Sequence, residues 1–103
     1  MKPSARIQCT AIAIDGRGVL LAGAPGVGKS DLALRLIGAG ALLVGDDAVE
    51  VAADGDRVVA GPVAGQAGRI FVAGMGPVCV ACVAAPVPLA LCILIDRAGS
   101  RAD

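Results

Sequence analysis

The sequence predicts a β-rich α/β domain with one main helix. Three observations carry that reading. Apolar, partly β-branched runs of strand length recur along the chain, separated by Asp-Gly, Gly-rich or Pro-containing turns. A single stretch, Asp31 to Ala39, is built of strong helix formers, and it directly follows a glycine-rich loop. The chain has 103 residues, which suits one domain, residues 1–103, with one modest core.

The elements follow in order. Met1 to Arg6 reads as a short start or linker. Cys9 to Ile14 and Gly18 to Ala22 are apolar runs across Asp15-Gly16, the signature of a tight hairpin. Next comes Gly23-Ala24-Pro25-Gly26-Val27-Gly28-Lys29-Ser30, and then the helix. In it Leu32, Leu36 and the pair Ala33/Ile37 stand at i,i+4, so more than one stripe is apolar. Asp31 in the first turn suits the positive end of the helix dipole, and Gly38 and Gly40 end the helix. Ala41 to Val44 is a buried strand running into Gly45-Asp46-Asp47. Val49 to Ala52 and Arg57 to Ala60 flank Ala53-Asp54-Gly55-Asp56, another hairpin. Ile70 to Val72, Val78 to Val83 and Leu89 to Ile95 complete the strands.

Composition excludes several functions. Nine basic residues balance nine acidic ones, so bulk charge offers nothing to nucleic acid or anionic lipid. Histidine is absent, which removes imidazole bases and the commonest zinc ligand. Phe71 is the only aromatic residue, so stacking platforms for single strands are out. Ile70 to Ile95 is uncharged and long enough for a membrane span, but Gly74, Gly76, Pro77, Pro86 and Pro88 interrupt it. Strands are the expectation there. The basic start has no apolar stretch behind it and is no signal peptide, so a cytoplasmic protein is expected. Cys9, Cys79, Cys82 and Cys92 are then expected as free thiols lining buried strands, with the Cys79/Cys82 pair on one of them.

Gly23 to Ser30 is a full Walker A pattern. Its glycines let backbone N–H groups close around phosphate oxygens, and the helix that follows points its positive end at the same anion. Lys29 supplies a mobile charge to the terminal phosphates, and Ser30 a hard oxygen for Mg²⁺. The apolar strand before it and the leucine-rich helix after it are the right context. All eight residues, Gly23, Ala24, Pro25, Gly26, Val27, Gly28, Lys29 and Ser30, are expected to bind nucleotide. Asp46 and Asp47 end the next strand, where α/β sheets place their ligands. One carboxylate suits Mg²⁺, through water, and the other suits accepting a proton from an attacking hydroxyl.

The run Ala11 to Leu21, the loop, Asp31-Leu-Ala-Leu-Arg-Leu-Ile and Leu43-Val-Gly-Asp-Asp-Ala-Val-Glu together resemble the catalytic domain of HPr kinase/phosphorylase. The closer likeness is to the short alphaproteobacterial form, which lacks the N-terminal domain. The resemblance covers residues 6 to 96 and is densest from Ile14 to Glu50. It implies a P-loop fold related to phosphoenolpyruvate carboxykinase. It also implies phosphorylation, dependent on ATP and Mg²⁺, of a serine on an HPr-type phosphocarrier of the phosphotransferase system, and so control of carbon metabolism. Asp46 falls at the family's base, working with Lys29. Asp47 falls at the structural or metal-side position with Ser30. Homo-oligomers are implied as well.

The chain also departs from the family pattern. Gln8 stands where the family has a histidine. In the signature segment, Phe71 and Ala73 replace a metal-binding glutamate and an arginine before Gly74-Met75-Gly76. The chain ends at Asp103, where the family continues into helices carrying another phosphate-facing arginine. Two alternatives to a working kinase follow. One is a nucleotide-binding regulatory module without phosphotransfer. The other is a plain ATPase with Gln8 orienting water.

Overall fold

In a computed structural model, residues 4–24, 26–72 and 74–95 are described. They form nine strands and one helix: β1 Ser4–Ile7, β2 Thr10–Ile14, β3 Arg17–Ala22, α1 Lys29–Gly38, β4 Leu42–Gly45, β5 Val49–Asp54, β6 Arg57–Pro62, β7 Arg69–Val72, β8 Gly76–Cys79 and β9 Val87–Leu94. Seven strands make one mixed sheet in the order β1-β5-β6-β9-β3-β2-β4, and β7-β8 is a separate ribbon. The β-rich expectation with one main helix holds.

Both predicted hairpins are present. Ile14 pairs with Arg17 across Asp15 and Gly16, which take φ of 52° and 76°. Those left-handed values give the turn a twist that matches its strands, and Asp and Gly tolerate them. Asp54 likewise pairs with Arg57. The parallel pairing of β9 with β3, Gly18 to Leu89 through Ala22 to Leu94, inserts the last described strand into the middle of the sheet.

The period of two along β2, β3 and β4 explains why these runs are almost wholly apolar. Ile12, Val19, Leu21 and Leu43 face α1, where they pack with Ala33, Ala41 and Ile70. Ala11, Ala13, Leu20 and Val44 face the other way and meet Val49, Ala60 and Val83. Strands covered on both faces need apolar side chains at every position. Ile12, Leu21 and Leu43 are fully buried, and truncating such a side chain to Ala costs roughly 2–5 kcal/mol. On α1 only Ala33 is fully buried, while Leu32, Leu34, Leu36 and Ile37 are partly covered. No helix is long and apolar enough to cross a membrane among the described residues.

Three expectations need correction. Ser4–Ile7 is a strand, not a linker: it pairs antiparallel with β5 from Ser4–Ala52 to Ile7–Val49. The run from Val78 to Val83 is not one strand. β8 ends at Cys79, and the chain then pairs with β4, where Leu43 N–H donates to the Ala81 carbonyl and Val83 N–H to the Leu43 carbonyl. Cys79 and Cys82 therefore share no strand. All four cysteines are free, but Cys79 and Cys92 are exposed and only Cys9 is buried.

Candidate nucleotide site

β3 delivers the chain to the glycine-rich loop at one end of the sheet. Gly23 leaves β3 beside the end of β9, where the next residue, Ile95, donates its N–H to the Ala22 carbonyl at 2.8 Å. A Cβ on Gly23 would lie 2.6 Å from the Ile95 carbonyl oxygen, so this close approach demands glycine. Val27 N–H closes a turn onto the Ala24 carbonyl at 3.2 Å. Gly28, at φ 105°, caps α1 in the left-handed region without a side-chain cap. The first-turn N–H groups of α1 therefore lack intrahelical partners and a capping side chain, which is the chemistry of an anion site. Pro25 lies outside the described residues.

The loop opens on a cleft of about 450 Å³ lined by Gly26, Gly28, Lys29, Ser30, Asp31, Leu34, Phe71 and Val72. That volume is within the range of small-ligand sites. Lys29 donates from Nζ to the Gly23 carbonyl at 2.8 Å, folding its ammonium back along the loop. Asp31 pairs with Arg35 at 3.3 Å, an exposed i,i+4 contact worth little to stability.

Asp46 is the hub of the site. Its Oδ1 accepts from Ser30 Oγ at 2.7 Å and from Thr10 Oγ1 at 3.0 Å, and its Oδ2 accepts from the Phe71 backbone N–H at 2.8 Å. Strand order makes this possible. β4 lies beside β2, so the residue after β4 and the first residue of β2 meet at the loop's end of the sheet. Gly45, just before Asp46, lets the following turn fold tightly, since a Cβ there would meet the Ala48 carbonyl oxygen at 2.7 Å. Asp47 is exposed and takes φ 73°, a left-handed value that Asp tolerates better than most residues.

The structure thus joins Lys29, Ser30 and Asp46 around the loop, and leaves Asp47 on the adjoining turn. Gln8 is exposed between β1 and β2. Phe71 is 60% exposed and borders the cleft next to Asp46, on the side where the resemblance expects a metal-binding carboxylate. Ala73 lies outside the described residues. Among the described residues, no group of three His, Cys, Asp or Glu side chains gathers that could hold a metal ion. Two participants escaped the sequence reading. The Phe71 N–H is a backbone group with no sequence signal. Thr10 had one: it is the single polar residue in the run from Cys9 to Ile14.

The comparisons with known proteins agree with one another. The profile of the HPr serine kinase C-terminal domain matches residues 1–82. The HPr kinase/phosphorylase of Clostridium perfringens strain SM101 is 40% identical over 77 residues, 74% of this chain and 25% of that protein. The HPr kinase/phosphorylase of Exiguobacterium sibiricum is 41% identical over 61 residues, 59% of this chain and 20% of that protein. The solved HPr(Ser) kinase/phosphatase of Coxiella burnetii superposes with a TM-score of 0.85 at 26% identity, covering 94% of this chain and 62% of that one. The chain thus spans about a quarter or less of these curated relatives' length.

Proposed function

Because the chain belongs to the HPr serine kinase C-terminal domain family, we propose that it binds ATP with Mg²⁺ and transfers the γ-phosphoryl group to a serine of an HPr-type phosphocarrier. The observation that carries this is the Lys29, Ser30 and Asp46 cluster at the end of a glycine loop and a helix N-terminus. The residues fit the ligand. Ser30 commits its one hydroxyl proton to Asp46. That leaves its lone pairs for a cation. Ser30, the nucleotide's phosphates and water would hold Mg²⁺, with Asp46 behind Ser30. The bound cation supplies neutralisation of charge on the phosphate oxygens. Lys29 turns from the Gly23 carbonyl to those same oxygens, and the loop and first-turn N–H groups bind the rest.

This reading exchanges the roles that the resemblance gives the two carboxylates. Three donors already occupy Asp46, and one of them is Ser30, so Asp46 supports the metal side. Asp47, exposed on the same turn, accepts no hydrogen bond among the described residues, and it takes the serine hydroxyl proton and returns it in the reverse reaction. Such an activity belongs in the cytoplasm and controls carbon metabolism through the phosphocarrier.

The test is incubation with γ-labelled ATP, Mg²⁺ and a purified HPr-type protein. Label is expected on serine. Asp47→Asn is expected to cut transfer by about 100-fold or more at unchanged ATP affinity. Asp46→Asn is expected to weaken Mg²⁺-dependent binding too. A second reading, a nucleotide-binding regulatory module, is favoured by Phe71, whose ring offers no oxygen at the cleft's metal side. Tight ATP binding with no label on HPr from the wild-type chain would select it.

A further inference from the structure

Thr10 is the one buried polar or charged residue among the described residues, at 1% exposure. Water does not reach it, so its hydroxyl needs a protein partner. It finds one in Asp46 Oδ1, at 3.0 Å and 36 residues away in sequence. We propose that Thr10 is a positioning residue for the nucleotide site: its hydroxyl fixes the Asp46 carboxylate so that Ser30 turns its proton inward and its lone pairs toward the cation. The inference rests on the nucleotide-binding reading and adds to it a residue outside every motif.

The argument is geometric. A carboxylate turns readily about its terminal torsion, and a serine hydroxyl is a free rotor. Left alone, the Ser30 and Asp46 pair would sample several arrangements, and in some the Ser30 proton would point into the cleft and repel a cation. Asp46 is instead pinned from three elements: β2 through Thr10, α1 through Ser30 and β7 through the Phe71 N–H. Of these anchors Thr10 is the stiffest. It is β-branched, it is buried, and it opens a strand paired on both sides, with Leu21 opposite it on β3. The Ser30 hydroxyl is the rotor to be oriented, and Phe71, itself exposed, belongs to a two-stranded ribbon outside the seven-stranded sheet. The same pinning holds β7 against the site, because Phe71 stands opposite Pro77 and gives its N–H to Asp46.

Thr10→Val keeps the shape and removes the hydroxyl; Thr10→Ser keeps the hydroxyl. ATP binding is titrated with and without Mg²⁺, and exchange of the Phe71 backbone amide is followed by NMR in the nucleotide-free chain. Thr10→Val is expected to reduce the Mg²⁺-dependent gain in ATP affinity about tenfold, with Mg²⁺-free binding unchanged, and to speed Phe71 exchange relative to the β2 and β3 amides. Thr10→Ser should restore both to within about twofold. Unchanged Mg²⁺ dependence and unchanged Phe71 exchange in Thr10→Val would overturn the proposal. So would a Thr10→Ser variant behaving like Thr10→Val, which would make the role one of packing. If the wild-type chain binds no ATP, the nucleotide reading fails, and the Phe71 amide alone decides whether Thr10 pins Asp46.

Discussion

Lys29 is the only cation among the described residues lining the cleft, and its ammonium rests 2.8 Å from the Gly23 carbonyl. Its contact to the loop is a single hydrogen bond, while its contact to a triphosphate would be charge on charge. Lys29→Ala is therefore expected to weaken ATP binding about tenfold or more by calorimetry while barely moving the unfolding midpoint. Unchanged affinity would remove the nucleotide reading. Cys9 gives a prediction of another kind. Burial pushes its thiol above the ordinary value of 9.0, the nearby Cys92 thiol adds to this and Lys29 opposes it. Above pH 9 the unfolded chain releases this proton before the folded one does. The folded state then binds more protons, so the stability held below pH 9 is lost as pH rises through the folded value. Cys9→Ala removes that component. Denaturant unfolding of both proteins at increasing pH should show the stability gap between them narrowing above pH 9; parallel curves would refute the assignment.

At the scale of elements, what was legible in the sequence was what local chemistry determines. The hairpins could be read because Asp15-Gly16 and Gly55-Asp56 leave few turn geometries open. The glycine loop and α1 could be read because backbone dihedrals and side-chain period are set within a few residues. β1 was missed because it is a short edge strand, exposed throughout and held by pairing with β5: Ala5 and Ile7 share a face but bury nothing. The split after Cys79 was missed because Val78 to Val83 is apolar throughout, so nothing local says which residues pair with β7 and which with β4. The site divides the same way. Lys29 and Ser30 belong to a motif, whereas Thr10 and the Phe71 N–H reach Asp46 across 36 and 25 residues through strand order. Gly23 tests the junction of loop and sheet. Gly23→Ala forces a Cβ to within 2.6 Å of the Ile95 carbonyl oxygen and 2.9 Å of the Val27 side chain, beside the Ile95–Ala22 hydrogen bond. A loss of about 1–3 kcal/mol is expected in denaturant unfolding, together with weaker ATP binding. Gly38→Ala, in open space near the end of α1, should instead be neutral or slightly stabilising. Equal effects of the two would mean that crowding at Gly23 is relieved cheaply.

Across the whole molecule, the segment that carries the family profile is smaller than the segment that closes the sheet. The profile match ends at residue 82, and β9 begins at Val87. Yet β9 lies between β6 and β3, so among the described residues it is the strand that hydrogen-bonds β1-β5-β6 to β3-β2-β4. Val87 and Leu89 pack on the core beneath, and Ile95 seals the start of the glycine loop. The far half of β9 is different. Pairing with β6 involves only Pro88 and Val87, and Leu91 and Leu94 are 55% and 74% exposed. β9 should thus matter through its backbone and first residues, and its tip should tolerate change. A chain ended at Ala85 leaves β3 unpaired on one side and opens the core between the two halves of the sheet. It is expected to lose cooperative thermal unfolding and the dispersion of its amide NMR spectrum, and ATP binding with them. Leu91→Lys in the intact chain is expected to change stability by no more than about 0.5 kcal/mol, and to lower any concentration-dependent association through this apolar patch. A chain ended at Ala85 that unfolded cooperatively at the intact midpoint would show that the profile-matched segment folds alone. β9 would then be an addition to that unit and not its keystone.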